Sequence, residues 1–545
     1  MQSKPRALED ASTALDCLGL SHALPALHAA GVRISRTVLG GSHSVAVYPP
    51  IDSLTSLDGE AVFDAIDCGR EASLYVHIAF CETRCTFCHY VVEHYSRSAE
   101  GRVASYLDAL KQELVCWGQK LARSGTAVSS IYIGGGTPLV LGRDVLLDLL
   151  TTIYGEYDVL AGAEVCIEGS PLTITAPGGE DKLRFLKEQG VTRLSFGVQS
   201  FDDEVLKYAA RGYRRDVPIQ AALIARDVFD NWNLDLIQGL YKGSPSETWT
   251  NLEAVAGLLP PHLTWYHGRF ADRPQGDWYR AAEKHASFED EYETLLGRML
   301  IWQQLAALGY RQTDGNRFVR DDRFSDRFKP IRTSSSSTLV GVGAASYSHV
   351  PVARPDETCR GYMFRNESDI SAYIDSVAGG GIPIATGRRI DESEVLATSY
   401  ATGLRSGRVE DEDLCTIRQS HRELSCHYER LESSLLEIGV LESFTDRTGR
   451  TGVRLSELGR LFEDETLSLF FSPAVQHALS RRSVLDITRG AGLTGRPRRR
   501  KDMGAPGLVE IAGPASSDFI DSPSSTQIGT SNRWALTRAM RRRRT

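Results

Sequence analysis

The sequence has no long hydrophobic run. No stretch approaches the roughly 18 to 20 uncharged apolar residues that a helix needs to span a bilayer. Residues 1–16 carry acids where a secretory signal would be basic and then apolar. We therefore expect a cytoplasmic protein without a membrane partner. Hydrophobic residues nevertheless make up 41% of the 545 residues, which is enough for more than one core and excludes disorder throughout.

Cysteine is also sparse, with ten residues in the whole chain. Cys81, Cys85 and Cys88 fall close together, and the other cysteines are scattered. This distribution is unlike the dense, even pattern of a secreted disulfide framework. In a cytosolic chain, such a cluster indicates a metal site.

The net charge of −8 hides a division between two parts of the chain. From Arg481 onward, fourteen basic residues face five acidic ones, so this tail carries +9 and residues 1–480 carry −17. An acidic body argues against a protein that holds a nucleic-acid backbone over a broad surface, so we expect no nucleic-acid partner. The basic end is rich in Gly, Pro and Ser, which is typical of a disordered tail.

Short β-rich runs alternate with helical segments in the first half of the chain. The six runs are 74–78, 130–133, 164–167, 193–196, 234–237 and 263–266. Between the first two, an apolar stripe has the period of an amphipathic helix and comprises Val103, Leu107, Leu110, Leu114, Trp117 and Leu121. Strands that are separated by helices pair in parallel with right-handed crossovers. The pattern predicts an α/β fold with a partial (β/α)6 barrel, whose chemistry lies at the carboxyl ends of the strands.

The chain divides into five predicted segments. Residues 1–70 are expected to wrap the barrel, residues 71–287 to form it, and residues 288–387 to extend it and act as a linker. Residues 388–480 are predicted to form a small helical, winged C-terminal domain, and residues 481–545 are the basic tail.

Four elements are predicted beyond the barrel. They are a long helix over 288–308, a strand-like run over 338–344, a helix over 424–438, and a wing strand over 451–456 that leads into a helix over 458–471.

Cys81, Cys85 and Cys88 form a C-x3-C-x2-C pattern directly after the first predicted strand. Three thiolates on one loop can hold three irons of a [4Fe–4S] cluster and leave the fourth iron without a protein ligand. The amino and carboxylate groups of S-adenosylmethionine suit that open iron. A zinc site would need a fourth protein ligand, and His89 is awkwardly placed beside Cys88 to supply it. The spacing therefore favours the cluster over zinc.

Further motifs follow in order along the chain. They are Leu74-Tyr-Val-His-Ile-Ala-Phe-Cys81, Gly134-Gly-Gly-Thr-Pro138, Cys166-Ile-Glu-Gly-Ser-Pro171, Ser195-Phe-Gly-Val-Gln-Ser-Phe201, Arg211 and Leu234-Asp-Leu-Ile-Gln-Gly239. Together with the cysteine loop, they make residues 71–475 resemble the radical S-adenosylmethionine superfamily, and within it the family of the oxygen-independent coproporphyrinogen III oxidase. The segment 453–460 resembles the small closing domain of that family. The resemblance implies an iron–sulfur enzyme that binds two molecules of S-adenosylmethionine.

The resemblance implies ligand contacts after the second and third strands. Gly135, Gly136 and Thr137 would approach the amino acid moiety of S-adenosylmethionine through their backbone, although the glycines alone could form an ordinary tight turn. Glu168 would accept hydrogen bonds from ribose hydroxyls. By itself, a glutamate at a strand end could equally be solvated or ion-paired.

Similar contacts are implied for the following strand ends. Gln199, Arg211, Asp235 and Ile237 would contact S-adenosylmethionine, including its second molecule. The alternative is that the polar members of this set form a structural network around the barrel mouth.

Two aromatic residues complete the implied cofactor site. Tyr75 would lie near the methionine sulfonium, since aromatic faces attract cations, or it could simply pack within its strand. Phe87 would cover the adenine, or it could shield the cluster from water.

Two departures from the family pattern bear on the substrate. Coproporphyrinogen enzymes place a further cysteine two residues after the third ligand, where this chain has Tyr90. The haem-chaperone branch carries a His-Asn-x-x-Tyr element, where this chain reads Cys-Arg-Gly-Tyr-Met-Phe-Arg over 359–365. These departures favour the branch that resembles class C radical methyltransferases and cyclopropanases of polyketide and other natural-product pathways. Tyr75, Tyr90 and Tyr347 are the predicted catalytic residues, Tyr347 by its implied position near the second S-adenosylmethionine.

The leading hypothesis is the transfer of a one-carbon unit to an sp2 carbon. The substrate would be an unsaturated intermediate, free or bound to a carrier protein, and the product a cyclopropane or a C-methyl group. A flavodoxin- or ferredoxin-type protein would supply the electron. Two alternatives stay open: oxidative decarboxylation of coproporphyrinogen III, and haem binding as a chaperone.

Overall fold

The computed structural model describes residues 2–34, 47–88, 90–96, 100–241, 245–268, 291–324, 326–328, 337–356, 359–420 and 422–480. The predicted tail over 481–545 lies outside these residues, as does the segment 269–290 at the end of the predicted barrel. Within the described ranges, no helix is both long and apolar enough to cross a membrane.

Helices and strands alternate through most of the described chain. The helices are Lys4–Cys17, Leu20–Ala29, Gly59–Ala65, Glu100–Ser124, Arg143–Glu156, Pro171–Thr175, Gly179–Glu188, Asp203–Tyr208, Asp216–Val228, Pro245–Leu258, Glu291–Ala307, Ile370–Ala378, Glu392–Arg405, Asp411–Ser420, Arg422–Glu437, Glu457–Leu461 and Glu463–Leu469. The strands, labelled β1 to β18 in chain order, are Thr55–Ser56, Glu71–Ile78, Phe80–Cys81, Glu93–His94, Ala127–Gly135, Asp158–Gly169, Arg193–Gln199, Asn231–Gln238, His262–His267, Arg311–Asp314, Arg317–Val319, Thr338–Val342, Tyr347–Asp356, Cys359–Asn366, Ile384–Ile390, Val409–Glu410, Leu441–Thr445 and Thr451–Leu455.

Six strands form the parallel heart of the sheet. β2, β5, β6, β7, β8 and β9 pair side by side in chain order, and each predicted run lies inside one of them. Helices connect successive strands, and the apolar stripe of helix Glu100–Ser124 is buried in the main core except for half-buried Leu107. Burying each such side chain contributes about 1.5–3 kcal/mol. The predicted α/β fold with a partial parallel barrel is confirmed.

The sheet continues past both edges of this parallel set. β12 pairs in parallel with β2, and antiparallel strands β13, β14, β15 and β1 follow it outward. At the opposite edge, β11 and then β10 add antiparallel to β9. The run 338–344 predicted a strand, but its place beside β2 is a long-range pairing that no local pattern specifies.

The N-terminal helix packs against the extension that follows the barrel. The Ser12 Oγ and Tyr292 Oη atoms are 3.0 Å apart, and Gln303 donates to the Asp10 carbonyl. Helix Glu291–Ala307 lies within the predicted long helix, whose residues 288–290 fall outside the described chain.

A small sheet closes the C-terminal part. β16, β18 and β17 pair antiparallel next to helix Arg422–Glu437, so the predicted helix and wing strand are present. The predicted single helix over 458–471 is instead two, because the fully buried Phe462 adopts φ −117° and ψ 35° between them. The ring of Phe462 lies in the core at this turn of the backbone.

Candidate active site at the carboxyl ends of the strands

The cysteine loop begins where β2 ends and is attached to several other strand ends. Cys81 lies on β3, which pairs with β4, and the Tyr95 N–H donates to the Cys81 carbonyl at 2.8 Å. The Ser170 hydroxyl after β6 donates to the Glu82 carboxylate. Thr86 donates through its N–H and its hydroxyl to the carbonyls of Ala209 and Tyr208. The loop is therefore held to the barrel on more than one side.

The three thiols lie in different surroundings. The Cys81 Sγ accepts from the Thr137 hydroxyl at 3.5 Å, and burial raises the pKa of this thiol to about 12. Burial also raises the pKa of Cys88. The Cys85 Sγ accepts from the Arg211 guanidinium at 2.8 Å. A bound cation reverses the cost of burying a thiolate, so these thiols suit metal binding better than free ionisation.

The chemistry of this donor set fits a cluster. Among the residues that the structure describes, no three His, Cys, Asp or Glu side chains close around a single metal ion. The ligands of a [4Fe–4S] cluster bind separate irons and do not need to converge on one point. His89, the alternative zinc ligand, lies outside the described residues.

The glycine turn after β5 brings backbone close to the cysteine loop. Gly135 has φ +104°, and a Cβ there would lie 2.5 Å from the His77 ring. A Cβ on Gly136 would lie 2.4 Å from the Phe80 carbonyl oxygen. The Thr137 N–H donates to that same carbonyl at 2.7 Å. Glycine is required at both positions by this close packing within the protein, and the role of the turn as a cradle for a ligand's amino acid moiety stays a prediction.

Glu168 is held from two sides at the end of β6. The Tyr132 hydroxyl donates to its Oε1 at 2.5 Å, and the Gly135 N–H donates to its Oε2 at 3.1 Å. Burial, reinforced by the Glu168 charge, raises the pKa of Tyr132 well above its ordinary value, so the phenol remains a donor. The carboxylate has a fixed orientation and retains lone pairs for further hydroxyl donors.

Tyr75 and His77 form a pair on β2. The His77 Nε2 lies 3.1 Å from the Val91 carbonyl, and its Nδ1 lies 3.1 Å from the Tyr75 hydroxyl. Burial lowers the pKa of His77 to about 4, so the ring is neutral. A carbonyl can only accept, so Nε2 carries the proton and Nδ1 accepts from Tyr75.

Gln199 ends β7, and Arg211, which follows the next helix, bonds to the cysteine loop. Gln199 has φ +72°, and within the described chain its buried Oε1 has no hydrogen-bond partner. Arg211 bonds Cys85, the Gly197 carbonyl and the Tyr213 hydroxyl. Strained backbone of this kind costs of order 1–3 kcal/mol and is concentrated at functional sites.

The β8 residues reach the site by two routes. The Asp235 carboxylate accepts from Asn233 Nδ2 at 2.8 Å. Ile237 and Phe87 pack against one small apolar cluster, whose buried members are Val205, Ala209 and Leu240. The structure thus brings together Phe87, the residue expected to cover adenine, and Ile237, which was expected to contact S-adenosylmethionine.

The three predicted catalytic tyrosines are not together. Tyr75 and Tyr347 pack against the same buried cluster, which consists of Tyr132, Cys166, Phe328 and Leu339. Tyr90 is 57% exposed and does not join that cluster. Their catalytic roles remain predictions.

Sequence reasoning missed a polar network inside the barrel. Asn233 donates to the Ser195 hydroxyl at 3.0 Å and accepts from the Thr264 hydroxyl at 3.1 Å, while also holding Asp235. A pattern in the sequence could have indicated this network. Polar residues stand at every second position of β8 and of the adjacent strands, and this alternation places their side chains on one face of the sheet.

Comparisons with known proteins identify the family and the fold. The model of the radical SAM superfamily matches residues 75–257. The haem chaperone HemW of Synechocystis sp. is 31% identical over 335 residues, which cover 61% of this chain and 77% of that protein. The oxygen-independent coproporphyrinogen III oxidase of Escherichia coli is 35% identical over 297 residues, which cover 52% of this chain and 62% of that protein. The solved structure of coproporphyrinogen III oxidase (HemN) from Escherichia coli matches with a TM-score of 0.64 at 24% identity, over 78% of this chain and 96% of that one, which shows a common fold.

These relatives overturn the leading functional hypothesis. Cyclopropanation or methylation of a natural product is wrong as the main function, because the relatives are named as haem chaperones and coproporphyrinogen oxidases. The hypothesis was drawn from Tyr90 and from residues 359–365. In the structure, Tyr90 is exposed and residues 359–365 lie on strand β14. A missing side chain removes a feature of one reaction but supplies no chemistry for another. The carrier-bound substrate is withdrawn with it.

The cofactor predictions are confirmed at the level of the superfamily, which uses a [4Fe–4S] cluster and S-adenosylmethionine. The number of S-adenosylmethionine molecules stays a prediction. The chain belongs to the radical SAM superfamily and, within it, to the HemN-like family of oxygen-independent coproporphyrinogen III oxidases and HemW haem chaperones.

Proposed function

We propose that this chain is a radical S-adenosylmethionine enzyme that oxidatively decarboxylates a propionate side chain of a coproporphyrinogen-type tetrapyrrole. One observation carries the proposal: the cysteine loop, the glycine turn, Glu168 and Arg211 are joined by direct hydrogen bonds at neighbouring strand ends. A relative that is named for this reaction shares 35% identity over 297 residues.

The residues of the chain bind and orient the cofactors. Cys81, Cys85 and Cys88 would hold the cluster, and the glycine turn and Glu168 would hold S-adenosylmethionine. Because the Tyr75 hydroxyl already donates to the neutral His77, we assign Tyr75 to binding through its aromatic face, which attracts the sulfonium. Packed aromatic rings beneath the site exclude water from it.

A bound cluster and S-adenosylmethionine would supply a 5′-deoxyadenosyl radical that is able to remove one hydrogen atom from the substrate. In the proposed reaction, the β-carbon of the propionate loses that hydrogen atom. Departure of CO2 and of one electron then leaves a vinyl group. A one-electron acceptor has to take this electron from the substrate. A different electron is needed beforehand to reduce the cluster, and we propose that a flavodoxin- or ferredoxin-type protein donates it.

The test begins with the reconstituted protein under anaerobic conditions. Dithionite and S-adenosylmethionine should yield 5′-deoxyadenosine from the wild type but not from Cys85→Ala, while the exposed Cys426→Ala serves as the matched control. Addition of coproporphyrinogen III should give a product that has lost CO2, detected by mass. An intact cluster that cleaves S-adenosylmethionine without decarboxylating this substrate would contradict the proposed reaction and leave the radical chemistry standing.

We also propose that two molecules of S-adenosylmethionine bind. The support is the number of candidate contacts, which extend from Gly135 on β5 to Asp235 on β8. Equilibrium dialysis should give a stoichiometry of two per cluster, and a value of one contradicts this part alone.

A haem chaperone is the second candidate. The observation that favours it is coverage, since the match extends over 77% of the HemW relative and 62% of the oxidase. Haem titration should then produce a saturable Soret change at one haem per chain. No spectral change, together with decarboxylation, would remove this candidate.

A further inference from the structure

Thr86 links the cysteine loop to the segment that follows β7. This residue comes directly after Cys85 and is one of the attachments that hold the loop to the barrel. Its N–H donates to the Ala209 carbonyl at 3.3 Å, and its hydroxyl donates to the Tyr208 carbonyl at 3.2 Å. Two residues farther along, Arg211 donates to the Cys85 Sγ at 2.8 Å. Two consecutive loop residues therefore bond to one short stretch of chain.

The two carbonyls belong to the end of a helix. Helix Asp203–Tyr208 ends with Ala209 as its cap, so its last carbonyls have no partner within the helix. Thr86 supplies donors for two of them, one from the backbone and one from the side chain. The contact is thus a specific cap that a residue without a hydroxyl could make only in part.

The stretch is itself held by further hydrogen bonds, which give the contact a reference within the barrel. Ala210 has φ +54°, and the Arg211 N–H donates back to the Leu206 carbonyl at 3.0 Å. The Arg211 guanidinium also donates to the Gly197 carbonyl at 2.5 Å, which ties it to β7. The position of Cys85 against Arg211 then depends on how the loop is attached at the next residue, Thr86.

We infer that Thr86 is a positioning residue that sets the contact between the Cys85 thiolate and the Arg211 guanidinium, and through that contact the reduction potential of the bound cluster. Hydrogen bonds and positive charge at cluster sulfurs stabilise the more negative, reduced cluster and raise its potential. A charge-assisted bond depends on distance and direction, so loosening the loop weakens it. The inference rests on cluster binding by this site and is independent of the substrate.

The experiment compares variants that differ only in the hydroxyl. Thr86→Val keeps the shape and the backbone N–H but removes the hydroxyl, and Thr86→Ser restores it. Thr151→Val is the matched control, because its exposed hydroxyl bonds only a carbonyl of its own helix. Redox titration followed by electron paramagnetic resonance should give a more negative midpoint for Thr86→Val, and wild-type midpoints for Thr86→Ser and Thr151→Val.

A double-mutant cycle tests whether the effect passes through Arg211. If it does, Thr86→Val shifts the midpoint in the wild-type background but not in Arg211→Gln. An equal shift in both backgrounds, or no shift in either, overturns the inference.

The apo protein gives an independent readout should Thr86→Val fail to load. Hydrogen exchange over the cysteine loop should then be faster than in the apo wild type, with no change elsewhere, and unchanged exchange overturns the inference. If the wild type itself binds no cluster, the proposed function fails at an earlier step, and the two failures are distinct.

Discussion

Removing the Tyr132 hydroxyl should weaken binding of S-adenosylmethionine without disturbing the cluster. Tyr132 is 8% exposed and donates to Glu168 Oε1 at 2.5 Å. In Tyr132→Phe the ring can keep its stacking on Phe328, at a centroid distance of 4.8 Å, so the packing is retained. Only the orientation of the carboxylate is changed.

The expected size follows from the kind of bond. A hydrogen bond to a charged group is worth about 1.5–3 kcal/mol. The Gly135 N–H still holds Oε2 at 3.1 Å, so part of the orientation survives and the lower end of that range applies. Since 1.4 kcal/mol corresponds to about tenfold in affinity, we expect a loss of about tenfold.

The assay is equilibrium dialysis of S-adenosylmethionine against reconstituted protein, with iron and sulfide content measured in parallel. Tyr157→Phe is the control, because its buried hydroxyl donates to the Leu114 carbonyl at 2.8 Å, at the opposite end of the strands. Tyr157→Phe should lose about 1 kcal/mol and Tyr132→Phe about 1.5 kcal/mol of unfolding free energy, but only Tyr132→Phe should lose affinity. Unchanged affinity in Tyr132→Phe would refute the assignment of Glu168 as a ligand oriented by Tyr132.

Three further predictions concern the glycine turn, the barrel interior and a buried acid. Gly135→Ala should prevent S-adenosylmethionine binding, because φ +104° and the His77 ring leave no room for a Cβ, whereas Gly155→Ala, with open space around it, should bind normally. Asn233→Ala should cost about 1–3 kcal/mol of stability and reduce 5′-deoxyadenosine formation, since Asp235 loses the hydrogen bond from Asn233; wild-type cleavage rates would contradict that link. Burial raises the pKa of Glu113 from 4.5 to about 7, so the folded protein keeps a proton that the unfolded chain releases between those values, and stability should fall as pH rises through this window. The free energy of unfolding, measured with urea at several pH values across that range, should depend less steeply on pH in Glu113→Gln. An identical pH dependence would exclude Glu113 as the source.

Short-range sequence patterns predicted most of the strands that carry the candidate active site. The six parallel strands were predictable because their β-rich runs and the intervening amphipathic stripe are local features. Once the strands are parallel, their carboxyl ends must meet at one edge. Residues such as Glu168 and Gln199 were therefore placed correctly at neighbouring strand ends before any contact was known.

Contacts between distant parts of the chain could not be predicted in this way. Tyr132 contacts Glu168 because Tyr132 pairs with Cys166 on the neighbouring strand, and Cys166 lies two residues before Glu168. The register between two strands is not a local property of the sequence. The protonated nitrogen of His77 follows from the Val91 carbonyl, which lies beyond the cysteine loop. Both details require the folded geometry.

The packing beneath Tyr132 explains why departures from the family motifs were a poor guide to the reaction. Phe328 comes from the extension after the barrel, yet its ring lies against Tyr132 and Tyr75. Its neighbour Asp326 pairs with the buried Arg193 at the start of β7, with 3.8 Å between the nearest N and O atoms. Because Tyr132 in turn orients Glu168, a change in the extension can alter cofactor geometry without touching any recognisable motif. Substitutions beneath Tyr132 should therefore affect the reaction more strongly than those at exposed positions such as Tyr90.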